Sequence, residues 1–410
     1  MRMNAYVAGV GMTPFGKHMD KGLKAIGAGA VTDAIIDAGL TNKDIEAAWV
    51  GNAAAGLVTG QECIRGQVVL RNVGIGQIPV INVENACASA STAFNQACAM
   101  VTAGLYDIVL AVGVEKLYDE DKRKSFAAFS GAVDVEAMVE IMANLKKNAE
   151  KSGAKKATGG AGENRSMFMD IYASAARSHM EAYGTTVEQF AGVSAKNSFH
   201  GSMNVRAQFR EALSVEEVLA SPMIAEPLTR PMCSPIGDGA AAVVIVSETK
   251  KKQLGLSDAV KVRSCALHSG WDRRAGEAGV AEFAAAKAYE ETGYGPEDLS
   301  VVELHDASAP AEIMAYESLQ LCAKGDGGKL ISDGTTRLGG RLPVNTSGGL
   351  LRKGHPVGAT GIAQIVELTE QLQGRAGKRQ VEGARIALAH NGGGSLGSDA
   401  AALCVSILEK

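Results

Sequence analysis

The run from Ile81 to Gly104, INVENACASASTAFNQACAMVTAG, constrains this chain more than any other stretch, because a strand-like segment enters a cysteine and a small-residue helix leaves it. The entry, IPVINVEN, is apolar and β-branched behind Pro79, and the exit has helical periodicity with many Ala and Ser. Cys87 therefore sits at a strand-to-helix elbow. There the first backbone N–H groups of the helix have no intrahelical partner, and the positive end of the helix dipole favours a thiolate over a thiol. The same N–H groups can hold a developing oxyanion. Cys87 is thus a candidate nucleophile. The alternative is a small cysteine buried beside a helix, which is how Cys98 on the same helix is read.

With 410 residues, 46% hydrophobic and 21% charged, the chain is long enough for two domain-sized cores and should be globular throughout. A net charge of −4 leaves no electrostatic footprint for nucleic acid and no general affinity for an anionic membrane, so any anionic ligand must be held locally. The seven cysteines are scattered without a C-x-x-C pair, which argues against a disulfide framework and a zinc site. No signal-peptide core, membrane-length apolar run or peroxisomal tail is seen, and a reducing cytoplasm is the expected location.

Strand and helix signals alternate from the start: AYVAGVGMTPFG, LKAIGAGAVTDAIIDAGL, IEAAWVGNA, the Cys87 elbow, then DIVLAVGVEKL. Such alternation predicts a mostly parallel sheet in an α/β fold. From Tyr118 to Arg230 the pattern becomes mainly helical and reads as an insertion. In it Lys146, Lys147, Lys151, Lys155 and Lys156 read as a solvated face, and Arg206 in NVRAQFR is the candidate contact for a phosphate-bearing ligand. CSPIGDGAAAVVIVSE then resumes the sheet and a second cycle of strands and helices follows, with PVNTSGG and ARIALAHNGGG as further strand-like pieces. GAAAVVIVSE and the C-terminal DAAALCVSILE resemble one another, which implies two similar halves. The expected division is 1–117 with 231–250 as the first half, 118–230 as the insertion and 251–410 as the second half.

Three of the seven histidines, His305, His355 and His390, follow strand-like runs or fall in turn-rich segments, where the ligand sites of open α/β sheets gather. With Cys87 they suggest a Cys/His nucleophilic site. The glycines of NGGGSLG fit a dinucleotide fingerprint only formally, since a strand follows instead of a helix. Backbone N–H groups turned toward a substrate oxygen are the better use for them.

NACASASTA, SPIGDGAAA, VNTSGGLLRKGHPVGATG and HNGGG together resemble the thiolase superfamily, and the similarity runs through the whole chain. The resemblance implies the five-layered αβαβα thiolase fold, a dimer or tetramer, and action on acyl-CoA thioesters, with CoA as a substrate and no cofactor. Carried over by motif, Cys87 is the acylated nucleophile and His355 the histidine that activates it. The Cys87 and Gly392 N–H groups form one oxyanion hole, and His305 with His355 faces the thioester oxygen of the second substrate.

The His-Asp and His-Asn pairs resemble the sterol-carrier-protein-type and archaeal acetoacetyl-CoA thiolases. Many thiolases have a second cysteine where His390 stands, and the sterol-carrier type has one after His-Asp, where this chain has Ala307. The acid/base role then falls to His390 or His305. Chains of this branch, the benzoylsuccinyl-CoA thiolase among them, often work with a small zinc-ribbon/OB-fold partner. Because the histidines are kept, thiolysis is favoured over a retro-aldol cleavage or a non-catalytic acyl-CoA-binding role.

Overall fold

The computed structural model of the protein describes residues 2–151, 165–274, 276–397 and 399–410, so Lys155 and Lys156 lie outside the described residues. Its strands are β1 (Arg2–Met12), β2 (Ala47–Gly51), β3 (Val80–Val83), β4 (Ile108–Glu115), β5 (Met223–Ala225), β6 (Leu228–Thr229), β7 (Gly239–Val246), β8 (Val260–Ser269), β9 (Val301–Glu303), β10 (Ile386–Gly393) and β11 (Ala402–Glu409). β5 and β6 form a separate hairpin. The others join in the order β3-β2-β4-β7-β1-β8-β11-β10-β9.

Outward from the β1–β8 seam the two halves repeat one another. The first runs β1-β7-β4-β2-β3 and the second β8-β11-β10-β9, with a single parallel bridge from Val302 to Val344 where a counterpart of β3 would lie. β7 and β11, the two segments whose sequences match, occupy the same place, each antiparallel to both its neighbours. The other four strands of the first half run in one direction. PVNTSGG, expected as strand, supplies only that bridge. Asn345 (φ 55°), Gly348 (φ 99°) and Gly349 (φ 59°) are left-handed there, which a pleated strand cannot accommodate.

Side chains alternate across each strand, and each face buries a different set. On β4 and β7, Val109, Ala111, Ala241 and Val243 face the helices Ser89–Thr102 and Thr360–Leu372, together with Ala387 and Cys404 of the second half. Leu110, Val112, Ala242 and Val244 face outward to the helices Leu23–Asp37 and Arg65–Asn72. Leu388, Leu403, Val405 and Ile407 pack against Val280–Thr292 and Ala309–Ser318. The result is helix, sheet, helix, sheet, helix: the thiolase αβαβα arrangement. The two central helices touch closely, since a Cβ on Gly361 would lie 1.9 Å from the Ser91 hydroxyl oxygen. Cys98 is buried in this central layer.

Between β4 and β7 come the helices Lys122–Ser130, Met138–Lys151, Met167–Tyr183, Val187–Ser202 and Val215–Ala220. The polar stretch after Tyr118 is therefore partly helical, started by Asp121, whose side chain caps the Arg123 N–H. Lys146, Lys147 and Lys151 are exposed. The inner helices share a core with the second half, where Phe190 and Val193 join Leu304, Ile313 and Tyr316. Buried polar contacts add to this, with Lys196 reaching Glu312, and Asn197 donating at 2.8 Å to both Asp306 and Glu312. Among the described residues no helix is long and apolar enough to cross a membrane.

Candidate active site

Cys87 lies in the tight turn Ala86–Ala88 between β3 and the Ser89–Thr102 helix. Ala86 holds φ at 47°, a left-handed conformation uncommon for a residue with a Cβ, so the elbow is sharp. Gly393 makes room for it, because a Cβ there would sit 2.1 Å from the Asn85 carbonyl oxygen. In the second half the equivalent turn, Val357–Ala359, leads into the Thr360–Leu372 helix, and His355 stands two residues before it. His305 follows β9, and His390 and Gly392 lie in β10. All five residues line one cavity of about 720 Å3.

The Cys87 sulfur and one ring nitrogen each of His305 and His355 lie within 4.8 Å of one another. The two rings meet edge to face, 5.2 Å between centroids at 89°. Their neighbours fix how they carry protons. The Thr360 hydroxyl lies 3.1 Å from the Pro356 carbonyl, which can only accept, and 2.7 Å from His355 Nδ1. Giving its proton to the carbonyl, Thr360 accepts from Nδ1–H and leaves His355 Nε2 with a free lone pair. His305 is held the opposite way. Asn391 accepts from the Ser91 hydroxyl at 2.7 Å and turns its amide N–H to His305 Nδ1 at 2.9 Å, so His305 presents Nε2–H as a donor. His390 is held more loosely: its Nδ1 accepts a long 3.4 Å bond from the His305 backbone N–H, which places the proton of the neutral ring on Nε2.

Burial dominates the electrostatics. It pushes the Cys87 thiol up to about 12, reinforced by the charge of Glu115 and opposed by hydrogen bonds from the Gly394 and Cys87 backbone. Desolvation thus works against the thiolate that the helix N-terminus favours. Burial, with the Lys353 charge, takes His355 down to about 3, and burial takes His390 down to about 4. His305 lies well below the ordinary range through burial and the two neighbouring imidazoles. The resting site is a neutral thiol among neutral rings. Alkylation of Cys87 by iodoacetamide in the free protein should accordingly accelerate about tenfold per pH unit from about pH 7 to pH 10. A rate that levels off below about pH 8 would mean that the thiolate is stabilised after all.

Several residues that shape the site carry no motif in the sequence. Glu115, buried at the end of β4, accepts from Gly358 N–H at 2.8 Å, Asn52 at 3.0 Å and Ala53 N–H at 3.2 Å, and so ties the second elbow to the turn after β2. Thr360 and Asn391 lie inside GATG and HNGGG, where only their neighbours drew attention. Arg206, expected to contact CoA, does not line this cavity. It pairs with Glu370 and faces a separate pocket with Arg210 and Arg379. Its guanidinium is committed to a carboxylate at the end of the central Thr360–Leu372 helix. The cations that do line the cavity are Lys17, Lys122, Arg165 and Arg230.

A Cys/His/His set at this spacing could also clasp a soft divalent cation, which would occupy the nucleophile and its base at once.

Residues 5–249 match the family described as Thiolase, N-terminal domain, and residues 273–408 match Thiolase C-terminal domain-like. The chain belongs to the thiolase family. It is 39% identical to the acetyl-CoA acetyltransferase of Methanothermobacter thermautotrophicus, over 96% of this chain and 97% of that one. It is 35% identical to the benzoylsuccinyl-CoA thiolase subunit BbsB of Thauera aromatica (96% of each chain), and 36% to sterol carrier protein 2 of Rattus norvegicus (94% of this chain, 69% of that one). Among solved structures, an Ltp2-ChsH2(DUF35) aldolase shares the fold, with a TM-score of 0.77 at 23% identity over 99% of this chain and 98% of that one.

Proposed function

We propose that the protein is an acyl-CoA acyltransferase that cleaves or forms 3-oxoacyl-CoA esters through an acyl group carried on Cys87. The observation behind this is the convergence of the Cys87 sulfur with nitrogens of His305 and His355 within 4.8 Å, where one ring is held as acceptor and the other as donor. In the cleavage direction His355 Nε2 takes the thiol proton as the sulfur attacks C3. The Cys87 and Gly392 N–H groups hold the resulting oxyanion. The C2–C3 bond then breaks, the acyl group stays on sulfur, and the electron pair becomes an enolate. Its oxygen accepts from His305 Nε2–H and from the now protonated His355.

The proton taken from the thiol is the one that C2 needs, and it travels there by way of His390. Negative charge on the enolate favours the charged form of that ring, against the burial that disfavours it. In the second half the CoA thiol gives its proton to His390 as its sulfur attacks the thioester; the acyl–sulfur bond to Cys87 breaks, and the proton passes on from His390 to the leaving sulfur, which restores the thiol. A panel of 3-oxoacyl-CoA esters, read by intact-protein mass and peptide mapping, should place an acyl adduct on Cys87. No adduct from any ester would sink the proposal.

The phosphates of CoA would meet Lys122 and Arg230, exposed at the cavity. Lys17 instead lies 4.8 Å over the Tyr118 ring, and Arg165 pairs with Asp170 at 2.8 Å. The double variant Lys122→Ala/Arg230→Ala should raise the KM for CoA about tenfold at low salt, with the gap narrowing as salt is added. Arg206→Ala should leave that KM in place; a rise in Arg206→Ala alone would restore the original assignment. A homodimer or tetramer with a small zinc-ribbon/OB-fold partner is the assembly we propose, supported by the subunit designation of the Thauera relative.

A further inference from the structure

The cavity is larger and more aromatic than a two-carbon acyl group requires. Beyond Cys87 one wall comes from the inserted segment, with Phe126 and Phe129 one turn apart on the Lys122–Ser130 helix, and Phe168 and Tyr172 one turn apart on the Met167–Tyr183 helix. The Phe168 and Tyr172 rings are tilted at 41°, 6.5 Å between centroids. Ala311 and Ala315, one turn apart on the Ala309–Ser318 helix, line the same cavity. Rings and small methyl groups in one lining leave room for a flat group, whose edge or face the four rings can take up. The volume agrees: a benzene-sized void is roughly 150 Å3, and the cavity has about 720 Å3, room for a ring beside the thin arm of CoA.

Tyr172 points to the same use. It lines the cavity, where burial raises the phenol, and among the described residues its hydroxyl has no hydrogen-bond partner. A half-buried phenol without a protein partner is completed by a ligand or by water that a ligand displaces.

Resting on the acyl-enzyme reading above, we infer that the acyl group accepted by Cys87 is an aromatic one, seated among the rings of the insertion and the alanines of the Ala309–Ser318 helix. The test is the rate of Cys87 labelling by acetyl-CoA, octanoyl-CoA and benzoyl-CoA, followed by intact-protein mass. Each rate is divided by that of the same thioester with a simple thiol, to remove intrinsic reactivity. Benzoyl labelling is expected to exceed acetyl labelling about tenfold or more, a usual size for a group that fills its pocket. Ala315→Leu, which adds bulk to the cavity lining, should lower that ratio about tenfold. Phe129→Ala, at a half-buried position, should lower it as well and keeps the test open if the leucine variant does not fold. Faster labelling by acetyl or octanoyl, or a ratio unmoved in folded variants, would overturn the inference alone. No label from any thioester would overturn the acyl-enzyme reading together with it.

Discussion

Cys87→Ala is expected to lower acyl transfer by at least about a thousandfold, with no acyl adduct formed, while the protein still folds. The loss is large because the proposed reaction is divided into two steps that share one sulfur. Without it neither the acyl intermediate nor the enolate leaving group can form, and the positioned imidazoles have nothing to activate. The fold should tolerate the change, since the elbow is set by Ala86 at positive φ and by the close approach of Gly393, neither of which involves the thiol. A melting temperature within a few degrees of the parent would separate lost chemistry from lost structure. If CoA-dependent carbon-carbon cleavage survives, the chain works by retro-aldol scission, which needs no acyl-enzyme.

His390→Ala should divide the reaction differently. Acylation of Cys87 by a simple activated thioester depends on His355 and the N–H groups and should continue. Carbon-carbon bond cleavage or formation should fall by about a hundredfold to ten-thousandfold, the range lost with a general acid or base. The structure supports this partition through the constraints on each ring. Thr360 sets His355 to accept at Nε2, where the thiol proton goes, and the Ser91–Asn391 chain sets His305 to donate, which leaves His390, held at Nδ1 by a long 3.4 Å bond, for the proton transfer to carbon. Ser91→Ala provides a milder control: it loosens Asn391 and should weaken enolate stabilisation without blocking acylation. Turnover like the parent's in His390→Ala would move the acid/base role to His305 or to water.

Much of the fold was legible because it depends on local pattern. The apolar runs that became β4, β7 and β11, the helix after Cys87 and the matching Ala triplets all follow from periodicity and composition. PVNTSGG was misread because its strand-like start gives way to left-handed backbone at Asn345 and at the two glycines, with Asn345 Oδ1 accepting from the Leu304 N–H across the turn. The positions of Cys87, His305, His355 and His390 could be anticipated from where strands end. Their protonation could not, since it rests on partners far apart in the chain: Ser91 with Asn391, and Glu115 with Gly358. The pairing of Arg206 with Glu370 was hidden for the same reason, as sequence proximity to the core says nothing about which carboxylate a guanidinium will meet. At Cys87 only one of two opposing influences could be read, because a helix N-terminus is visible in sequence while the depth of burial is not.

The two halves place their elbows in equivalent positions, Ala86–Ala88 before one central helix and Val357–Ala359 before the other. Had this architecture been assembled from two copies of a single half, symmetry would force the same side chain onto both elbows, giving two nucleophiles or two bases. Linking the halves in one polypeptide removes that restriction. One elbow can specialise in sulfur and the other in imidazole, and a substitution at either is no longer copied to its counterpart. The tandem chain behaves as an obligate heterodimer written into one gene, and its division of labour exists only because the duplicates were free to diverge.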